Sequence, residues 1–430
     1  MSPEELKNAY PEYFTPALAK ASQLLIEKGE GPYLFTTDGE KYLDLVQGIA
    51  VNALGHAHPM LVEAACGQVK KLIHGSFNLV NYPSALQLAV LLRKLTPGDL
   101  DMFFFTNSGA ESVEGGLKLA RYTTGKGSYI AFRGGFHGRT YGAASVTSSN
   151  ANFRRHYAPF LPQIYFAPYP YCYRCSFGQK VETCHLECLE YVKEDFHYSI
   201  PPENVSAVLF EPVMGEGGYV VPPEKYVKAL RKLCDENSFL LIFDEVQTGI
   251  GRTGKLFASD VFGVVPDILL MGKAIGAGFP LAIVASTKER MAKWETGAHG
   301  TTFGGNPVAC AAAIAQLEII SQEGFLASVR KKGEAFRNKL KALQQRYPEI
   351  GDVRGVGMMN GIELVKENKA PDADKAKFII NYFMGKKILI LACGAYKNVI
   401  RFIPPLNIEE SLLDLAVQIL DEALKASRKG

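Results

Sequence analysis

The sequence predicts an α/β fold: a large domain with a mostly parallel central sheet flanked by helices, plus a smaller α/β domain built from both ends of the chain. Three observations predict it. At 430 residues the chain is long for a single core. Short continuous apolar runs recur between residues 102 and 284, the form taken by strands buried on both faces of a parallel sheet. From about Phe325 the pattern changes to a charged helix, short strands and a last helix from Ile408. The expected division is residues 1–54 and 323–430 for the small domain and 55–322 for the large one.

Residues 1 to about 32 read as peripheral, with Pro3, Pro11 and Pro16 breaking early helices and Ala17–Lys28 forming one helix. Tyr33–Thr36 and Lys41–Val46 flank Asp38-Gly39, a hairpin with an Asp-Gly turn. His56 and His58 stand at i, i+2, but no third ligand of matching spacing follows, so no metal is expected there. Met102–Thr106 is a buried strand, and Asn107-Ser108-Gly109-Ala110-Glu111 opens a helix to about Thr123. Alone this is an ordinary N-cap, though unpaired N–H groups at a small-residue helix start also suit a phosphate.

Tyr129–Phe132 is the next strand, leading into Arg133-Gly-Gly-Phe136-His137-Gly138-Arg139. Ala207–Phe210 follows, and beyond it Glu211 and Glu216 are a candidate general acid and base. Pro222–Asn237 reads as the helix before the Phe239–Phe243 strand, with proline in its first turn. Leu281–Val284 is a strand that turns back toward the sheet, and Val308–Glu323 is an alanine-rich helix connecting the domains. A strand start at Gly355–Gly357, then Ile388–Leu391 and Val399–Ile403, complete the small domain.

Residues 165–190 hold Cys172 and Cys175, then Cys184 and Cys188, with His185 between. Paired CxxC spacing is the mark of a structural zinc site, but the second pair is CxxxC, and free cysteines are common in interiors. The expectation is no metal, with these thiols as the candidates if there is one. Composition narrows the rest: 47% hydrophobic and 21% charged, with 47 basic against 44 acidic residues, net +3. That gives no reason to invoke nucleic acid or an anionic membrane. No apolar stretch is long enough to span a bilayer, the start lacks a signal-peptide pattern, and eight cysteines make no dense disulfide framework. A cytoplasmic enzyme is expected.

The chemistry concentrates between residues 239 and 273. Phe239–Phe243 ends in Asp244-Glu245, and Ile268–Met271 ends in Gly272-Lys273. Ligands of open α/β sheets sit beyond the carboxyl ends of the strands, so an acid and an amine there can face one ligand. Pyridoxal phosphate (PLP) chemistry needs this pair: a lysine for the cofactor aldehyde and a carboxylate for the pyridine nitrogen. Gly249-Ile-Gly251-Arg-Thr-Gly254 mimics a dinucleotide fingerprint but lies far into the chain, and as a phosphate loop it fails at Leu256.

Leu241-Ile-Phe-Asp-Glu-Val-Gln-Thr-Gly-Ile-Gly-Arg-Thr-Gly254 and Met271-Gly-Lys-Ala-Ile-Gly276 resemble the signature of the class III aminotransferases, in the fold-type I PLP superfamily. The resemblance runs from about Leu34 to the C-terminal region. It implies that Lys273 binds the cofactor and moves protons, and that Asp244 holds the pyridine nitrogen. It implies that Ser108, Gly109 and Ala110 hold the phosphate, that Phe136 stacks on the ring, and that His137, Val246 and Gln247 also contact the cofactor. Glu211 is implied to buttress Gln247, and Thr302 to reach the other subunit's phosphate in a homodimer or dimer of dimers. Ile49 is placed near the active-site mouth, Arg139 on a substrate carboxylate, and Glu216 with Arg401 as a paired specificity switch. The implied reaction is transamination of a 4-aminobutyrate- or ornithine-like donor with a 2-oxo acid. The alternative is an amino-acid racemase on the same scaffold.

Overall fold

The computed structural model describes residues 1–428. A helix, Pro3–Tyr13, precedes strands β1 (Ile26–Glu30), β2 (Tyr33–Thr36) and β3 (Lys41–Asp44). The large sheet uses β4 (Met102–Thr106), β5 (Ser128–Phe132), β6 (Ile164–Ala167), β7 (Val205–Phe210), β8 (Leu240–Asp244), β9 (Ile268–Met271) and β10 (Ala282–Ser286). Its order is β4-β10-β9-β8-β7-β5-β6. Neighbours are parallel except on the two sides of β10, which runs antiparallel to β4 and β9. Every residue of β5, β7, β9 and β10 is buried, which is why these segments are apolar without alternation.

The helix Gly109–Thr124 lies close on this sheet because of two glycines. A Cβ at Gly115 would come within 2.9 Å of Val284 Cγ2, and one at Gly116 within 2.9 Å of Leu270 Cδ2. A side chain at either position would lift the helix and with it the N-terminus that serves the site.

Helices Pro307–Ile320 and Glu323–Arg346 lead to β11 (Ile350–Val356), β12 (Met359–Leu364), β13 (Ile388–Leu389), β14 (Leu391–Cys393) and β15 (Val399–Phe402). These form the antiparallel sheet β11-β12-β15-β14, except β13, which joins β1-β2-β3 as a parallel partner of β3. Segments from the two ends of the chain thus share one sheet. Among the described residues no helix is long and apolar enough to cross a membrane.

Several expectations need correction. Ala17–Lys28 is not a helix: its last residues belong to β1, whose ladder with β2 outweighs helix propensity. Pro3 starts the first helix rather than breaking it, and the helix runs through Pro11 to Tyr13. Gly355 lies near the end of β11, which closes at Val356, rather than at a strand start. Gly357, at φ +54°, and Met358 form the two-residue loop between β11 and β12. The alanine-rich helix stops at Ile320 and a second begins at Glu323.

Candidate active site

Asp244 closes β8, and its backbone aligns with Leu270 of the adjacent β9. The Glu245 N–H donates to the Leu270 carbonyl at 3.0 Å, so the two strand ends are tied where they leave the sheet. Gly272 is extended, and Lys273 turns sharply at φ +47° into a short 3-10 turn. Gln316 Nε2 holds that turn by donating to the Ala274 carbonyl. Burial drives the Lys273 amine below its usual value, opposed first by the Asp244 charge and then by Glu211. Arg401 and Glu216 also act on this amine, so charges from three separate stretches of the chain bear on it.

Asp244 is 5% exposed. Its Oδ2 lies 2.8 Å from His137 Nδ1, and its Oδ1 accepts the Val246 N–H at 3.1 Å. Burial works against a charged His137, but the Asp244 contact outweighs it and raises the imidazole above its usual value. His137 is itself fixed, its backbone N–H donating to Thr147 Oγ1 at 2.9 Å. The carboxylate is therefore held in one direction by a group behind it, as a partner for a ring nitrogen must be.

At the other end Ser108 caps the helix Gly109–Thr124, its Oγ accepting the Glu111 N–H at 3.2 Å. The Glu111 carboxylate accepts from Asn107 N–H and Nδ2 at 2.8 and 2.9 Å, leaving the Gly109 and Ala110 amides for an anion. Val246 packs on this corner: a Cβ at Gly109 would stand 2.8 Å from its Cγ1, and one at Gly272 would stand 3.1 Å away. Phe136 is half-buried, edge-on to Phe153 at 5.7 Å. Gln247 Oε1 is a buried oxygen with no hydrogen-bond partner among the described residues.

Glu211 lies beside Gln247: a Cβ on Gly215 would stand 2.7 Å from Gln247 Oε1 and 3.4 Å from Glu211 Oε2. Its carboxylate accepts the N–H groups of Phe136 and Gly215, both at 2.8 Å, and is not bonded to Gln247. It fixes the backbone under Phe136, and burial pushes it up to about 7 against the pull of His137.

Ile49 is 41% exposed in a left-handed turn in which Gln47, Gly48, Ile49 and Ala50 all have φ between 52° and 65°. Such a conformation is costly for a β-branched residue. Asp44 holds it by accepting the Val46 and Gln47 N–H groups at 2.8 and 3.0 Å, and His56 braces Asp44 at 2.8 Å. Arg139 is exposed, 3.6 Å above the Phe153 ring and without a carboxylate partner among the described residues. Thr302 is exposed, while its neighbour Thr301 binds Asn107 Nδ2 through Oγ1 at 2.9 Å. Arg401, 4% exposed on β15, has its Nη1 2.9 Å from Glu216 Oε2.

Cys172, Cys175, Cys184 and Cys188 are free thiols lining one small cavity with Glu187. Among the described residues no three His, Cys, Asp or Glu side chains are arranged to hold a metal ion. A larger cleft of about 730 Å³, lined by Arg133, Arg154, Phe166 and Tyr191, contains none of the residues above. Sequence reasoning missed the braces Thr147 and Asp44, and it missed the network that Tyr171, Arg174 and Arg354 form around buried Glu363. The last spans about half the chain and leaves no local pattern.

The donors fit pyridoxal phosphate at its phosphate, at its ring nitrogen and, through the orphaned Gln247 oxygen, at its ring edge. They define a fold-type I transferase that works with this cofactor. The aminotransferase class-III family matches residues 16–424, and the chain belongs to that family. It is 37% identical over 418 residues to a probable 4-aminobutyrate aminotransferase of Bacillus subtilis (strain 168), covering 96% of each. It is 36% identical over 418 residues to an alanine/serine racemase of Pyrococcus horikoshii, covering 96% of this chain and 88% of that one. An amine transaminase from an uncultivated Pseudomonas species, solved with PLP bound, superposes with a TM-score of 0.90 at 29% identity, covering 97% of this chain and 99% of that one. The protein is a PLP-dependent aminotransferase.

Proposed function

We propose that the enzyme moves the amino group of an ω-amino acid such as 4-aminobutyrate, or of an ornithine-like donor, to a 2-oxo acid such as 2-oxoglutarate, in two ping-pong half-reactions. The observation that carries this reading is the Glu216–Arg401 pair at 2.9 Å. A buried arginine neutralised by a glutamate admits an uncharged or amine-bearing chain. Released from it, the same guanidinium can take an α-carboxylate through two parallel hydrogen bonds. Arg401 keeps capacity for this: among the described residues its Nε has no hydrogen-bond partner, and Nη1 meets Glu216 off the line of a hydrogen bond. Glu216 is 32% exposed, which leaves it room to move aside.

Pyridoxal phosphate, when bound, would supply an electron-withdrawing ring that acidifies the C–H of the substrate's amine-bearing carbon. Lys273, lowered by burial, is the base that takes this proton and returns it. Asp244, braced by His137, keeps a proton on the ring nitrogen. Gly109 and Ala110 orient the phosphate from the helix N-terminus. Arg139, on its Phe153 platform, offers a guanidinium for a substrate carboxylate. Exposed Thr302 supports a homodimer, or dimer of dimers, in which it serves the neighbouring site. The sheet shared by β3 and β13 supports a small domain of residues 1–54 and 323–430 around a large domain of 55–322. The reading places the enzyme in the cytoplasm.

In Glu216→Ala, Arg401 is free at all times. The ratio of half-reaction efficiency for 4-aminobutyrate over glutamate should fall about tenfold or more, within the usual range of a coupling free energy. Stopped-flow decay of the bound cofactor's visible absorbance measures it; an unchanged ratio would sink the gating account. The same assay across 4-aminobutyrate, ornithine, acetylornithine, lysine, putrescine and alanine identifies the donor.

The likeness to an alanine/serine racemase favours a second reading, in which the substrate carbon is reprotonated from its opposite face. Racemisation of alanine without any oxo-acid acceptor would select it.

A further inference from the structure

The Glu216–Arg401 pair is anchored by residues outside the set described above. Glu216 lies in Gly215-Glu216-Gly217-Gly218, whose glycines offer no side chains to hold the loop. Besides the turn bonds within residues 211–220, two contacts from beyond residue 350 fix its backbone. The Gly394 N–H donates to the Glu216 carbonyl at 2.8 Å, and Arg354 Nε donates to the Gly218 carbonyl at 2.9 Å. Arg354 of β11 cannot turn away, because its other nitrogens are engaged. Nη1 lies 2.7 Å from both Asp352 Oδ2 and Glu363 Oε2, and Nη2 lies 2.7 Å from the Tyr171 hydroxyl. Glu363, fully buried on β12, also accepts from Tyr171 and from Arg174.

We propose that Arg354, clamped by Glu363 and Tyr171, is a positioning residue for the donor gate: it holds the Gly217-Gly218 backbone so that the Glu216 carboxylate stays on Arg401. The inference rests on the gating account above. A planar guanidinium with two edges occupied leaves its Nε–H one direction, and that direction is the Gly218 carbonyl. Without this anchor the glycine loop gains freedom, Glu216 spends less time on Arg401, and selectivity drifts toward α-amino acids.

Arg354→Lys tests this. The lysine keeps a charge beside Glu363 and Asp352 but cannot also reach Tyr171 and Gly218. The 4-aminobutyrate-to-glutamate efficiency ratio should fall about fivefold, the scale of the net contribution of one hydrogen bond. The change should follow that of Glu216→Ala in direction and appear in KM for the ω-amine, with the bound cofactor's absorbance unaltered. Tyr171→Phe, which removes a hydroxyl from both Arg354 and Glu363, should shift the ratio the same way by a smaller factor, and it decides the matter if Arg354→Lys does not fold. Equal losses for both donors would reduce the network to a structural one and overturn the proposal. If Glu216→Ala moves the ratio and neither variant does, the positioning role falls and the gate stands. If Glu216→Ala is also inert, both fall together.

Discussion

Lys273→Ala should lose transamination with every donor by about 10⁴-fold or more, with the fold intact. The fall exceeds that for an ordinary positioned base because covalent anchoring and proton transfer are lost together. The protein supports so large an effect. The amine sits past the end of β9, where the chain turns at φ +47°, and it is lowered by burial. Single-turnover rates with and without added methylamine measure it. Partial rescue by the exogenous amine would show that the cavity survives and only the group is missing.

Asp244→Asn should reduce the rate by about 10²–10³-fold, because breaking a buried charge pair costs about 3–5 kcal/mol. The amide keeps the shape but cannot hold a proton on a ring nitrogen. The same change has a pH signature through His137. The imidazole is raised above 6.5 by Asp244, so the contact stabilises the fold below pH 6.5, and that contribution fades as pH rises through the raised value. Asp244→Asn should therefore lose most stability on the acid side. Denaturant unfolding at pH 5.5 and 8 measures the difference; a larger loss at pH 8 would contradict the assigned role of His137.

The catalytic rim was legible in the sequence because β8 and β9 are buried on both faces. Such strands must be apolar throughout, so the polar residues that end them stand out. The capped helix start at Ser108 was readable for a similar reason, since small residues at a helix N-terminus follow local rules. Contacts set by tertiary packing were not readable. Ala17–Lys28 has helical composition, yet β2 recruits its end as a strand. Glu211 sits where Gln247 needs support, but the backbone amides of Phe136 and Gly215 take both of its oxygens. The left-handed turn at Ile49 depends on Asp44 and His56, and no side-chain pattern announces it. Tyr171 and Glu363 are 192 residues apart, so their contact exists only once the sheets are assembled.

The central claim is that one amine, at position 273, holds the cofactor. The direct measurement is to load the protein with pyridoxal phosphate, reduce it with borohydride, digest it and locate the phosphopyridoxyl group by mass spectrometry. The account predicts a single modified peptide carrying the group on Lys273. A label on another lysine, or no label on protein that has bound the cofactor, would contradict it.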